Sequence, residues 1–200
     1  ALNTPRRGVL FIGRFVEKKG ASDLLHAYAQ LPYGIRRDHP LYLVGDGPLR
    51  PELEKLSDEL AIATIFTGFI PARDVAQLIR SAACVVVPSR TAANGDSEGL
   101  PTTLLEAAAA YCPIVATDHA GTPEFVTDHL TGLLSPEHSP PELSANIRLA
   151  IINVPLIAQI TREARKRVES DFNIETQTRK LEEEYDQILL TDNQASSNTF

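Results

Sequence analysis

Residues 84–106 read CVVVPSRTAANGDSEGLPTTLLE: four apolar residues, a proline, a polar loop ending in Ser97-Glu98-Gly99-Leu100-Pro101, and the start of an alanine-rich helix. A run as uniformly apolar as Cys84-Val85-Val86-Val87 predicts a strand buried on both faces, which a parallel sheet covered by helices on either side provides. The polar stretch that follows such a strand lies at its carboxyl end, where open α/β sheets bind their ligands.

Working outward, the same unit recurs. Val9-Leu10-Phe11-Ile12 stops at Gly13 and leads to a helix over 21–31, with Leu24, Leu25, Tyr28 and Leu31 at helical spacing. Leu41-Tyr42-Leu43-Val44 stops at Gly45-Asp46-Gly47, before a helix over 49–60 striped by Leu49, Leu53, Leu56 and Leu60. Ile65-Phe66-Thr67 closes at Gly68 ahead of a helix over 73–81. Ile114-Val115-Ala116-Thr117 is a fifth strand, and Gly132-Leu133-Leu134 a short sixth. The alternation predicts an α/β fold: a Rossmann-like open parallel sheet of about six strands with helices on both faces. From 140 to 190 the strands stop and three helical segments follow, broken near Pro155 and Asn173. We therefore expect a sheet domain over 1–172. A helix over 173–190 carries an apolar stripe of Leu181, Tyr185, Ile188 and Leu189 that calls for a partner surface, and an Asn/Ser-rich tail over 191–200 reads as disordered.

At 200 residues, with 43% hydrophobic, 22% charged and 6% aromatic residues, the chain has the composition of an ordinary folded domain. Its 19 Lys and Arg against 26 Asp and Glu leave a net charge of −7, which excludes a general nucleic-acid surface. No apolar run reaches the roughly 18 to 20 residues of a membrane span. The two cysteines, Cys84 and Cys112, show neither metal-ligand spacing nor a paired base, so both are expected to be small buried residues in a reducing compartment. The chain opens at Ala1 without a signal-peptide layout and holds no methionine, from which a segment of a longer protein is expected.

Two stretches carry chemistry. Residues 13–20, Gly13-Arg14-Phe15-Val16-Glu17-Lys18-Lys19-Gly20, connect the first strand to the first helix and place Arg14 and Lys19 where helix-start N–H groups already favour an anion. They lack the spacing of a P-loop, and Gly45-Asp46-Gly47 lacks the third glycine of a dinucleotide fingerprint because Arg50 occupies its place. That turn reads instead as a tight strand-to-helix connection with Pro48 at the first helical position. In the second stretch, Pro101 suits the first turn of the helix and Gly99, Leu100, Thr102 and Thr103 around it would offer free N–H groups, flanked by Glu98 in the loop and Glu106 a turn further on. Two carboxylates beside an anion site make sense when they accept hydrogen bonds from hydroxyls of the same ligand. A polyhydroxylated phosphate ester satisfies both demands. The five histidines show no ligand spacing, and structural roles are expected for them, with His119 the one weighed against a ligand contact.

Taken in order, Gly13-Arg14 to Lys19-Gly20, Val44-Gly45-Asp46-Gly47, Gly68-Phe69, Pro88-Ser89, the glutamates Glu98 and Glu106, and Ala116-Thr117-Asp118 to Gly121-Thr122-Pro123-Glu124 resemble the C-terminal half of retaining glycosyltransferases of family 4. The resemblance runs from about residue 9 to about residue 134 and implies the nucleotide-sugar donor domain of a two-domain GT-B fold. It implies that Arg14 and Lys19 bind the donor diphosphate, that Glu98 contacts the donor sugar, and that Glu106 holds the ribose hydroxyls. The backbone of Gly99, Leu100, Pro101 and Thr102 would follow the sugar and phosphate, and Phe69 and Ile70 would meet the base. The longer loop at 90–97, Thr102-Thr103 and His119-Ala120 depart from the family's usual pattern.

The resemblance further implies transfer of a hexose from a UDP or GDP sugar to an acceptor hydroxyl, with Arg14, Lys19 and Glu98 as the catalytic set and no obligatory metal or other cofactor. The acceptor, a glycan or lipid-linked glycan of the cell envelope or an exopolysaccharide, would bind an N-terminal domain outside this chain. A cytoplasmic location at the inner face of the membrane, with peripheral association of the full-length protein, is the matching expectation. A non-catalytic nucleotide-sugar-binding module and a non-transferring GT-B enzyme such as an epimerase remain open readings, and a dehydrogenase is the weakest.

Overall fold

The computed structural model describes residues 6–197, with side chains described to residue 188. Six strands form one sheet: β1 (Val9–Ile12), β2 (Leu41–Val44), β3 (Thr64–Gly68), β4 (Cys84–Val87), β5 (Ile114–Thr117) and β6 (Leu133–Ser135). All pair in parallel, in the order β3-β2-β1-β4-β5-β6. The expected Rossmann-like fold is the observed one.

Period-two alternation divides the strands' side chains between two cores. Val9, Phe11, Cys84, Val86 and Val115 face one layer, packed with Leu24 and Leu25 of α1 (Ala21–Ala29), Leu53 of α3 (Arg50–Glu59) and Leu143 and Ile147 of α7 (Pro140–Ile152). Leu10, Val85, Val87, Ile114 and Ala116 face the other, against Ile79 of α4 (Ala72–Ser81), Leu104, Ala107 and Ala108 of α5 (Thr102–Ala109) and Ala164 of α8 (Val154–Asp171). Burial on both faces is why β4 could be read from four apolar residues alone.

Several boundaries move. Pro48 precedes the helix: α3 begins at Arg50 with Pro51 in its first turn, because the Leu49 N–H donates to Phe15 O and the Gly47 carbonyl accepts from Arg50 N–H in the turn before it. Short helices α2 (Tyr33–Asp38) and α6 (Thr122–Phe125) stand where no helical period is legible, each less than two turns long. α7 gives way to α8 at Asn153 through a bend of 98°, with Pro155 in the first turn of α8. Asn173 then caps α9 (Ile174–Ser197), its Oδ1 accepting from the Thr176 N–H at 2.8 Å.

α9 corrects the sequence reading of 191–200. The helix passes Leu190 and continues to Ser197, since no proline or glycine interrupts the chain after Ile174. Residues 198–200 lie outside the described residues, as does the side chain of Leu189. Leu181, Tyr185 and Ile188 of the expected stripe are 56–60% exposed.

The first loop and the β4 strand end meet at Gly20. It has φ +66°, and an added Cβ would lie 1.7 Å from the Pro88 carbonyl oxygen. Gly20→Ala is expected to lower the unfolding free energy by at least about 2 kcal/mol, combining left-handed strain with displaced backbone. Gly34→Ala, where a Cβ meets nothing within 4 Å, should be neutral or stabilising by up to about 1 kcal/mol. Urea midpoints at unchanged slope read out both.

Candidate functional site

β1 and β4 are neighbours, and their connections run to opposite faces of the sheet, to α1 on one side and α5 on the other. The crevice between the two departing loops is the fold's ligand-binding position. On the β1 side the loop is stapled down by backbone: Gly13 N–H donates to Val44 O at 3.0 Å, and Phe15 N–H to Asp46 O at 2.9 Å. The Phe15 ring is buried, and a 3-10 turn over Glu17–Lys19 closes the loop at Gly20. Arg14 is left exposed at the start of this loop.

On the β4 side, Arg90 ties the two loops together. Its N–H donates to Lys18 O at 2.9 Å, its Nε to Glu17 O at 3.2 Å, and its Nη1 pairs with Asp23 Oδ1 at 3.0 Å. The turn over Glu17–Lys19 thereby presents both lysines to the end of the 91–98 loop. Lys19 Nζ lies 2.7 Å from Glu98 Oε2, and Lys18 Nζ lies 3.6 Å from Glu98 Oε1 and 3.1 Å from Asp96 Oδ1. The Glu98 side chain is only 11% exposed.

The Glu98 backbone is held from behind. Its N–H donates to His119 Nε2 at 3.2 Å, and His119 Nδ1 lies 2.7 Å from Glu137 Oε1. The second Glu137 oxygen accepts from Thr91 N–H at 2.7 Å. Burial pushes the Glu137 carboxyl up, but the hydrogen bonds from Thr91 and His119 outweigh it and hold its pKa below the ordinary value. Gly121 packs edge-on against the same segment, where an added Cβ would lie 2.8 Å from Gly99 C and Leu100 N. Only a residue without a side chain permits that approach.

Of the residues singled out in the sequence, Lys19 and Glu98 are brought into direct contact. Gly99 and Leu100 run from Glu98 to Pro101, the residue that precedes α5. Pro101 provides no side-chain cap, so the first N–H groups of α5, at Thr102 and Thr103, remain available to a ligand. Thr102 and Glu106 are exposed on α5. Phe69, 81% exposed, and Ile70 follow Gly68 at the end of β3, two strands along the same sheet edge from β1. The intervening turn is linked to them by Gly45 N–H donating to Gly68 O at 3.0 Å. Arg90, Lys18, Asp96 and Glu137 were not singled out, and nothing in their local sequence marks them; His119, weighed against a ligand contact, is 2% exposed with both ring nitrogens hydrogen-bonded.

These features coincide with a known family. The model of the glycosyl transferases group 1 family matches residues 1–167. The chain belongs to that family. Among curated relatives of this group 1 chain, it is 31% identical over 177 residues to WcaL of Escherichia coli K12, named for colanic acid biosynthesis, covering 86% of this chain and 43% of WcaL. The amylovoran biosynthesis glycosyltransferase AmsK of Erwinia amylovora is 31% identical over 186 residues, covering 92% of this chain and 45% of AmsK. Among solved structures, HepE of Anabaena in complex with UDP-glucose superimposes with a TM-score of 0.80 at 25% identity, covering 91% of this chain and 49% of HepE. Each of these three matches covers less than half of the other protein's length.

Neither cysteine belongs to the site. Burial pushes the Cys84 thiol far above its ordinary range and that of Cys112 up to about 12. Among the described residues no three His, Cys, Asp or Glu side chains are grouped to hold a metal ion, and no single helix is long and apolar enough to cross a membrane. Both thiols are expected to resist a disulfide reagent at about pH 8 in the folded protein and to react in denaturant. Labelling followed by mass measurement checks this.

Proposed function

We propose that this chain is the donor-binding half of a retaining, family 4 type glycosyltransferase that moves a hexose from a UDP or GDP sugar to an acceptor hydroxyl in exopolysaccharide or cell-envelope glycan synthesis. The observation that carries this reading is the 2.7 Å contact between Lys19 and the partly buried Glu98 carboxylate in the crevice between β1 and β4. A lysine ammonium has three donors and Glu98 uses one of them, so Lys19 can hold a phosphate oxygen and the carboxylate together. Glu98 in turn retains lone pairs for sugar hydroxyls. The site thus offers one cation to the leaving group and one anion to the sugar.

The difficult step is cleavage of the bond between the anomeric carbon and the diphosphate oxygen, which leaves negative charge on the diphosphate and oxocarbenium character on the sugar. Arg14, Lys19 and the N–H groups at the start of α5 stabilise the first charge, and Glu98 the second. The acceptor oxygen forms the new bond on the face from which the diphosphate departs, and the acceptor's proton passes to the leaving phosphate oxygen. Glu106 holds the ribose, and Phe69 and Ile70 lie toward the base. No divalent metal is required, because the basic residues and the helix start supply the neutralising charge. The acceptor, a glycan or lipid-linked glycan, binds a separate N-terminal domain, and the complete protein works in the cytoplasm at the inner face of the membrane.

Calorimetry tests this directly. The chain should bind a nucleoside diphosphate with unchanged affinity in EDTA, and it should transfer no sugar by itself, because closure against a second domain is what excludes water. Binding of neither UDP nor GDP, or robust transfer by these residues alone, overturns the reading. Arg14→Ala and Lys19→Ala should each weaken the free diphosphate by about 1–3 kcal/mol. Glu98→Ala should instead leave the free diphosphate no weaker, since it releases Lys19, and should weaken the sugar conjugate by about 0.5–1.5 kcal/mol or more.

A further inference from the structure

The buried imidazole behind Glu98 has only one workable protonation pattern. A backbone N–H can only donate, so the Glu98 N–H that points at His119 Nε2 requires a lone pair there. The ring proton then sits on Nδ1 and is donated to Glu137 Oε1. Glu137 accepts from both His119 Nδ1–H and Thr91 N–H, hydrogen bonds that favour its carboxylate form. The three partners come from the loops after β4, β5 and β6. They close on a stretch, 93–97, that is exposed throughout.

We propose that His119 is a positioning residue: through its Nε2 lone pair it holds the Glu98 backbone so that the carboxylate meets the transferred sugar, and Glu137 sets the tautomer that makes this possible. The inference rests on the donor-site reading above. A second proton on the ring turns Nε2 into a donor facing the Glu98 N–H, and the clamp opens. The charged and titratable groups around the ring act on both ends: Glu137, with His138 Nε2 3.9 Å from its Oε2, stands at Nδ1, while the Glu98 carboxylate with Lys18 and Lys19 stands beyond Nε2, and Asp118 is the adjacent residue.

Glu137→Gln makes the decisive variant, since it keeps the shape and removes the second acceptor. With its amide oxygen toward Thr91, its NH2 faces Nδ1 and drives the proton to Nε2, against Glu98; turned the other way, it opposes Thr91. Titration of the wild-type chain with UDP, GDP, UDP-glucose and GDP-mannose first identifies the nucleotide that binds. If none binds, the donor-site reading falls and this inference falls with it.

With the matching pair of probes, Glu137→Gln and His119→Gln are each expected to weaken the sugar conjugate about three- to tenfold, the size of one hydrogen bond, while the free diphosphate changes less than about twofold. Should His119→Gln fail to fold, the selective loss in Glu137→Gln decides alone. Equal weakening of both ligands, or an unchanged sugar conjugate in Glu137→Gln, overturns the proposal while leaving the donor site standing.

Discussion

The pairing of β1 with β4 is the constraint from which the site follows. Two parallel strands lie in register, Val9 beside Cys84 and Leu10 beside Val85, and their chains then depart to opposite faces of the sheet. Neither loop can fill the space above the junction, because each is drawn toward its own helix layer. Lys19 and Glu98, 79 residues apart, meet across this opening. The meeting depends on backbone that has no freedom to drift. Gly20 lies against Pro88, Arg90 bonds the Lys18 carbonyl, and Gly121 lies against the segment from Gly99 to Leu100.

The electrostatics are local. A chain with a net charge of −7 cannot attract phosphate by its overall field. It can hold an anion only where basic groups and helix N–H groups converge, and here they converge beside acids. Arg90 is occupied by Asp23, Lys18 by Asp96, and Lys19 by Glu98. Such an arrangement keeps the lysines ordered without a ligand. It also means that an incoming diphosphate competes with carboxylates already present, so affinity reports a difference between two charged partners.

The clamp formed by Glu98, His119 and Glu137 shows how a polar network is made specific. Each hydrogen bond in it has a donor of fixed identity at one end: two backbone N–H groups and, by consequence, one ring N–H. Around a buried imidazole such a network permits one arrangement, and a wrong protonation state sets donor against donor.

What could be read in the sequence was whatever depends on near neighbours along the chain. Strands β1, β2, β4 and β5 were legible because burial on both faces demands consecutive apolar residues, the edge strand β3 through Ile65-Phe66-Thr67 closing at Gly68, and α1, α3 and α4 because one apolar face demands a helical period. The bases and acids of the site were legible because they sit at strand ends, next to glycines and helix starts. Short α2 and α6 were not, since fewer than two turns display no period, and the continuation of α9 into a polar stretch was hidden by composition that resembles a tail. The roles of Arg90, His119 and Glu137 were beyond reach for a different reason. His119 lies 21 residues from Glu98 and 18 from Glu137, and no local pattern says which of many polar loop residues will face which. That is decided by the order of strands in the sheet, which sets the loops after β4, β5 and β6 side by side, and so by the tertiary packing of two hydrophobic layers that contain none of these residues.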